Sequence, residues 1–173
     1  MRAFAYIAIL RNANPMGLAI TILVMSFIHI PTVTAETTAD PMVVYKSPSC
    51  GCCGVWVEHM TTAGFSTTIK HPKNLNAIKQ TLGVAPAYQA CHTSTLQGYV
   101  FEGHIPAAVI QYFLANKPSD ASGLAVAGMP MGSPGMDNGK PYRAYQVVKL
   151  NQDGSSTPYA NVSDSNTTYL EKK

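Results

Sequence analysis

From residue 42 onward, short apolar runs alternate with polar punctuation, and the spacing inside each run predicts its element. Met42-Val43-Val44-Tyr45-Lys46 is β-rich and stops at Ser47-Pro48-Ser49, which predicts a buried strand ending in a turn. After Cys50-Gly51-Cys52-Cys53-Gly54 come Val55, Trp56, Val57, His59, Met60 and Ala63, closing at Gly64. That is a helix with a glycine C-cap, and it puts the cysteines at the helix N-terminus. Phe65 to Ile69 alternates and is β-branched, a second strand ending at His71-Pro72. Asn74 can cap a helix whose Leu75, Ile78 and Leu82 share one face and which Gly83 stops.

Beyond Gly83 the pattern becomes a hairpin, with strands at 88–93 and 99–101 about a polar turn at 94–98, leading into Glu102-Gly103-His104. Pro106 opens a third helix at 107–116, since proline suits the first helical position. The predicted order is β-α-β-α-β-β-α, an α/β fold. Residues 123–139 (GLAVAGMPMGSPGMDNG) are rich in Gly, Pro and Met, too broken for a helix and too apolar for an ordinary linker. A further strand is expected at 142–150 and a turn at 151–154. From 155 to 173 the chain is polar, and a flexible tail is expected.

Composition sharpens this picture. Of 173 residues only 12% are charged and 46% are hydrophobic, which excludes a disordered, charge-rich chain. The length is enough to bury a core without disulfides, so the four cysteines call for another explanation. No run of Lys or Arg provides a footprint for nucleic acid, and that class is set aside.

Part of the apolar fraction belongs to the N-terminus. Arg2 and Arg11 flank an apolar run at 17–30, and Val33-Thr34-Ala35 offers small residues before Glu36. The run is short for a bilayer span, so residues 1–35 read as a cleaved export signal, with an uncleaved anchor as the alternative. Removing two arginines takes the net charge from +3 to +1 (3 − 2). No cysteine follows the cleavage site, so neither a lipid anchor nor another stable membrane attachment is expected after cleavage. The expected organisation is a signal at 1–35, a linker at 36–41, a folded domain at 42–154 and the tail at 155–173. Export would place the thiols in an oxidising compartment.

The chemistry gathers around sulfur. Cys50-Gly51-Cys52-Cys53 is a C-x-x-C pair with a third thiol inserted, at a helix N-terminus, where the dipole and open N–H groups stabilise thiolate. Cys91 belongs to the hairpin strand expected beside the first strand, and His104 sits at a strand-to-helix junction near the same sheet end. For His59, His71 and His92 the ordinary structural reading is preferred. Met129, Met131 and Met136 lie in the Gly/Pro loop with no helical spacing, a way to offer thioethers without thiol oxidation. Thiolates, thioethers and one imidazole make a soft donor set that selects Cu(I), with zinc as the main competitor. Two disulfides stapling an exported domain remain the bland alternative.

The segments YKSPSCGCCGVWVEHM, ACHTSTLQGYVFEGHIPA and GLAVAGMPMGSPGM together resemble the CopG-like periplasmic proteins of bacterial copper-resistance clusters. The resemblance implies a thioredoxin-like fold, a copper site around the CxCC motif and the CHT cysteine, and a role in handling periplasmic copper, including a change between Cu(I) and Cu(II). On this chain the matching positions are Cys50, Cys52, Cys53, Cys91 and His104, and the loop of Met129 and Met131 matches as well. The thioredoxin comparison also predicts a cis Ala85–Pro86 bond facing the cysteines.

The leading expectation is therefore an exported protein that sequesters, relays or redox-cycles copper, with copper ions and other periplasmic copper-handling proteins as partners. Metal binding is preferred to catalysis, a copper oxidoreductase being the enzymatic variant. The alternative is a thiol-disulfide oxidoreductase using the Cys50/Cys53 pair, with Cys52 as the feature against it.

Overall fold

A computed structural model describes residues 40–170 apart from 138, 140 and 165. The segment expected to be an export signal, 1–35, and most of the expected linker, 36–41, lie outside the described residues. The described residues all belong to the unit Thr37–Lys173.

β1 (Met42–Lys46) leads through a tight turn into α1 (Gly51–Thr62). Cys53, Trp56, Val57 and Met60 recur at helical spacing and are the buried face of α1. The helix ends as its sequence requires: Phe65 N–H donates to Met60 O and Gly64 N–H to Thr61 O, both at 3.0 Å, with Gly64 at φ +93°. β2 (Thr67–Lys70) is followed by α2 (Leu75–Thr81), where Asn74 Oδ1 caps the Ala77 amide at 3.0 Å.

β3 (His92–Leu96) and β4 (Tyr99–Glu102) form the hairpin, and α3 (Ala107–Asn116) follows with Pro106 at its N-cap. The hairpin is tighter than its composition suggests. Ser94 and Thr95 lie in the strand, and the turn is only Gln97-Gly98, at φ +51° and +82°, the two positive values that a two-residue hairpin turn favours. The expected strand at 88–91 is instead a 3-10 turn, Pro86–Tyr88, and a short approach to β3. The Ala85–Pro86 bond is trans, with Ala85 extended at ψ 144°, and no cis peptide occurs among the described residues.

Two more differences concern the second half. A strand, β5 (Ala121–Ala125), takes up the start of the Gly/Pro/Met-rich stretch, parallel to β4 and antiparallel to β6 (Tyr145–Asn151). Residues 123–126 are central to the sheet and buried on both faces, so they show no alternation. The polar tail expected from 155 forms β7 (Ser156–Ser163) and β8 (Asn166–Tyr169), and Tyr159, Ala160 and Val162 enter the core. A register shift opposite Val147/Val148 puts Tyr159 and Ala160, adjacent in sequence, both inside.

The eight strands form one sheet in the order β2-β1-β3-β4-β5-β6-β7-β8. Met42, Val44, Trp56, Met60, Phe101, Ile110 and Phe113 belong to one buried cluster, so α1 and α3 share a face. Lys79 of α2 meets Thr93 and Glu102 on the other face. The ends of β1 and β4 and the entry to β3 meet beside the α1 N-terminus.

Candidate metal centre

The site begins where β1 stops. Cys50 N–H donates to Ser47 O at 3.1 Å, closing the turn, and Cys50 becomes the α1 N-cap without a capping side-chain bond. One turn of helix then delivers three cysteine sulfurs to one corner. Cys50 and Cys53 are joined as a disulfide with Cα atoms 5.4 Å apart, while Cys52 and Cys91 are free thiols. Cys50 Sγ and Cys52 Sγ are 3.6 Å apart. Cys53 is fully buried, with its sulfur 3.8 Å from the Cys91 carbonyl.

Cys91 and His104 arrive from the two sides of the hairpin. Cys91 Sγ lies 2.9 Å from His104 Nε2 and 3.6 Å from His92 Nδ1. His104 Nδ1 is 2.7 Å from the Pro134 carbonyl, which can only accept, so Nδ1 carries the proton and Nε2 presents its lone pair to Cys91. His92, buried against the Trp56 ring with centroids 4.3 Å apart, stands edge-on to His104 at 4.9 Å. Its Nε2 has no hydrogen-bond partner among the described residues.

Two groups of donor atoms, each within 4.8 Å, share Cys53 and Cys91: Cys50, Cys52, Cys53 and Cys91, and Cys53, Cys91, His92 and His104. All five Cys and His residues expected from the sequence therefore meet. His92, the chain neighbour of Cys91, lies in the second group as well, although it is also packed in the core against Trp56.

The methionine loop reaches the site through its backbone. Pro134 O holds His104, and a Cβ at Gly135 would lie 3.0 Å from Trp56 N and 3.3 Å from His104 Nδ1. Met129 is 51% exposed, and Met131 is half-buried with its carbonyl accepting from Arg143 N–H at 3.1 Å.

Electrostatics favour neutral groups here. Burial, reinforced by the neighbouring Cys52, pushes the Cys91 thiol up to about 12. Burial also lowers His104, and it lowers His92 further, with His104, Lys79 and Lys46 adding to the effect. Neutral imidazoles are the metal-binding form, whereas the thiols must lose protons on coordination. Among the described residues, no helix is long and apolar enough to cross a membrane.

Comparison with known proteins bears on the same segment. A family model described as a protein of unknown function, DUF411, matches residues 88–136, which carry Cys91, His92, His104 and the methionines. No curated protein matches. Two solved structures, the copper resistance protein CopG in forms 2 and 1, each match at 38% identity and a TM-score of 0.67 over 72% of this chain. The match covers 100% of the first and 98% of the second. At that identity over the whole of the matched protein, the chain belongs to the family of the copper resistance protein CopG.

Proposed function

We propose that this is an exported copper-binding protein of copper resistance that sequesters, relays or redox-cycles copper in the periplasm. The observation that carries the reading is the pair of four-donor groups sharing Cys53 and Cys91 at the N-terminus of α1. Thiolate sulfur with one or two imidazoles is a soft set suited to Cu(I), and zinc is its competitor. Reduction of Cys50–Cys53 makes all four sulfurs available. The helix dipole then favours the negative charge that accumulates there. His104 offers Nε2 because Pro134 occupies Nδ1, the arrangement by which an outer carbonyl orients a metal-ligating imidazole. Met129 and Met131 are proposed as further soft donors at the loop.

A thioredoxin-like core, within a domain that begins at 42 and runs on through β8, is part of the reading, supported by the β2-β1-β3-β4 order with β1 parallel to β2 and antiparallel to β3. A signal at 1–35 would deliver it, and other periplasmic copper-handling proteins are its expected partners. Titration of reduced protein against a cuprous chelator tests the function. Binding that is absent, or unchanged in Cys52→Ser and Cys91→Ser, would reject it. X-ray absorption at the copper edge reports oxidation state and S/N ligation together.

A second reading is favoured by the Cys50–Cys53 disulfide at a helix N-terminus, the position of a redox pair. Insulin reduction without copper would support a thiol-disulfide oxidoreductase. Inactivity there, with Cu(I) bound, favours the metal site.

A further inference from the structure

On the sheet face away from α1, directly behind the thiols, lies a buried ionic network that the copper reading does not use. Lys79 is 2% exposed and Glu102 not at all, and Lys79 Nζ stands 2.5 Å from Glu102 Oε1. Lys79 Nζ also donates to Thr93 Oγ1 at 2.8 Å, and Thr93 Oγ1 donates to Glu102 Oε2 at 2.5 Å. The Ala90 amide donates to Glu102 Oε1 at 2.6 Å. Packing alone does not explain such a pair: removing two charges from water is unfavourable, and apolar residues of similar volume often stabilise as well or better.

What the carboxylate touches supplies the explanation. Ala90 precedes Cys91, Thr93 follows His92, and Gly103 alone separates Glu102 from His104. The ladder between β3 and β4 begins at Thr93 opposite Glu102, so no strand pairing fixes residues 90 and 91. The Glu102 carboxylate provides the acceptor that the Ala90 amide would otherwise lack. From the same corner Gly103 N–H donates to His92 O at 3.0 Å, and a Cβ at Gly103 would come within 2.8 Å of Ala90 Cβ. One side chain thus grips the chain on both sides of Cys91-His92 and leads directly to His104.

We infer that Glu102, held in place by Lys79, is the positioning residue of the metal centre, fixing residues 90–93 so that Cys91 Sγ and His104 Nε2 meet. The inference rests on the copper reading for the identity of the ion, and on the geometry alone for the positioning.

Two double variants of the full chain separate positioning from charge. Lys79→Met/Glu102→Gln and Lys79→Met/Glu102→Leu both remove the ion pair, but only the first keeps an acceptor for the Ala90 amide. Each is titrated with Cu(I) after reduction, and the His104 ring nitrogens are read by nuclear magnetic resonance in the metal-free reduced protein. The leucine variant is expected to lose Cu(I) affinity by about 10–100-fold, the usual effect of removing an outer partner. Its Nε2 resonance should move to that of an unbonded imidazole, whereas the glutamine variant stays near the wild type. Wild-type affinity and an unmoved resonance in both variants would overturn the inference. Should the leucine variant not fold, Glu102→Asp, which keeps the charge but shortens the reach, carries the same expectation and the same refutation. A wild type that binds no Cu(I) would overturn the copper reading while leaving the His104 resonance to judge the positioning.

Discussion

Cys91 Sγ and His104 Nε2 stand 2.9 Å apart although the whole β3–β4 hairpin separates them in the chain. The contact depends on a third group, because Pro134 O accepts the hydrogen bond from Nδ1–H and leaves Nε2 as the nitrogen facing sulfur. The hairpin and the methionine loop are thereby tied at a single imidazole.

His104→Ala removes a nitrogen donor and orphans the Pro134 carbonyl. Cu(I) affinity is expected to fall at least about tenfold, the lower bound for disturbing such a shell. Competition against a cuprous chelator measures it, and X-ray absorption should show reduced nitrogen ligation. Unchanged affinity would remove His104 from the site.

Gly135→Ala tests the loop. Gly135 adopts φ +85°, and an added Cβ would lie 2.5 Å from Cys52 O, a backbone atom that cannot yield cheaply. Destabilisation of more than about 1 kcal/mol is expected, since the backbone conformation itself is unfavourable for alanine. Urea unfolding gives the stability, and the loss of His104 Nδ1 bonding in the same variant would show that the loop holds the ring.

Tyr159→Ala asks whether the C-terminal strands belong to the core. Tyr159 is 1% exposed and packs edge-on to Phe113, with ring centroids 5.8 Å apart. Truncating a buried aromatic of this kind costs about 3–5 kcal/mol. Denaturant midpoints should drop accordingly, and a chain ending at Gly154 should not fold cooperatively. A soluble, cooperative truncation would return residues 155–170 to the status of an appendage.

His59 gives a pH dependence away from the thiols. Its Nε2 accepts the Ala107 amide at 3.0 Å, linking α1 to the start of α3, and burial lowers its pKa from the ordinary 6.5. The unfolded chain therefore binds the proton more readily, so stability rises with pH through the interval below 6.5. This contribution is fully present above that value and is lost as pH falls through the folded-state pKa. His92 and His104 act with the same sign, so His59→Gln should flatten the stability–pH profile below 6.5 only in part. Urea midpoints between about pH 5 and 8, the span of ordinary histidine titration, read it. A profile identical to the wild type would mean that the Ala107 contact has no energetic role.

Local signals carried the first half of the fold. Gly64 and Asn74 mark a helix end and a helix start whose physics is complete within a few residues, and Met42 with Val44 spells a buried strand face. β5 stayed hidden because residues 123–126 pack on both faces, and Gly123 among prolines and methionines reads as loop. β7 stayed hidden because Pro158 and the shifted register break the alternation that identifies a strand. The Ala85–Pro86 expectation came from the fold comparison, and local geometry favoured a trans bond opening a 3-10 turn.

By itself the sequence determined the sulfur chemistry: three thiols within one helical turn, a fourth on a hairpin, and a loop of thioethers, all spelled by short-range spacing. Only the tertiary structure decided which of these groups meet. Bringing His104 to Cys91 and both to Cys53, and setting a buried Glu102–Lys79 pair behind them, are contacts across strands and helices. Such contacts depend on register and on which sheet face each residue takes, and these are fixed by burial of the whole core rather than by any one segment.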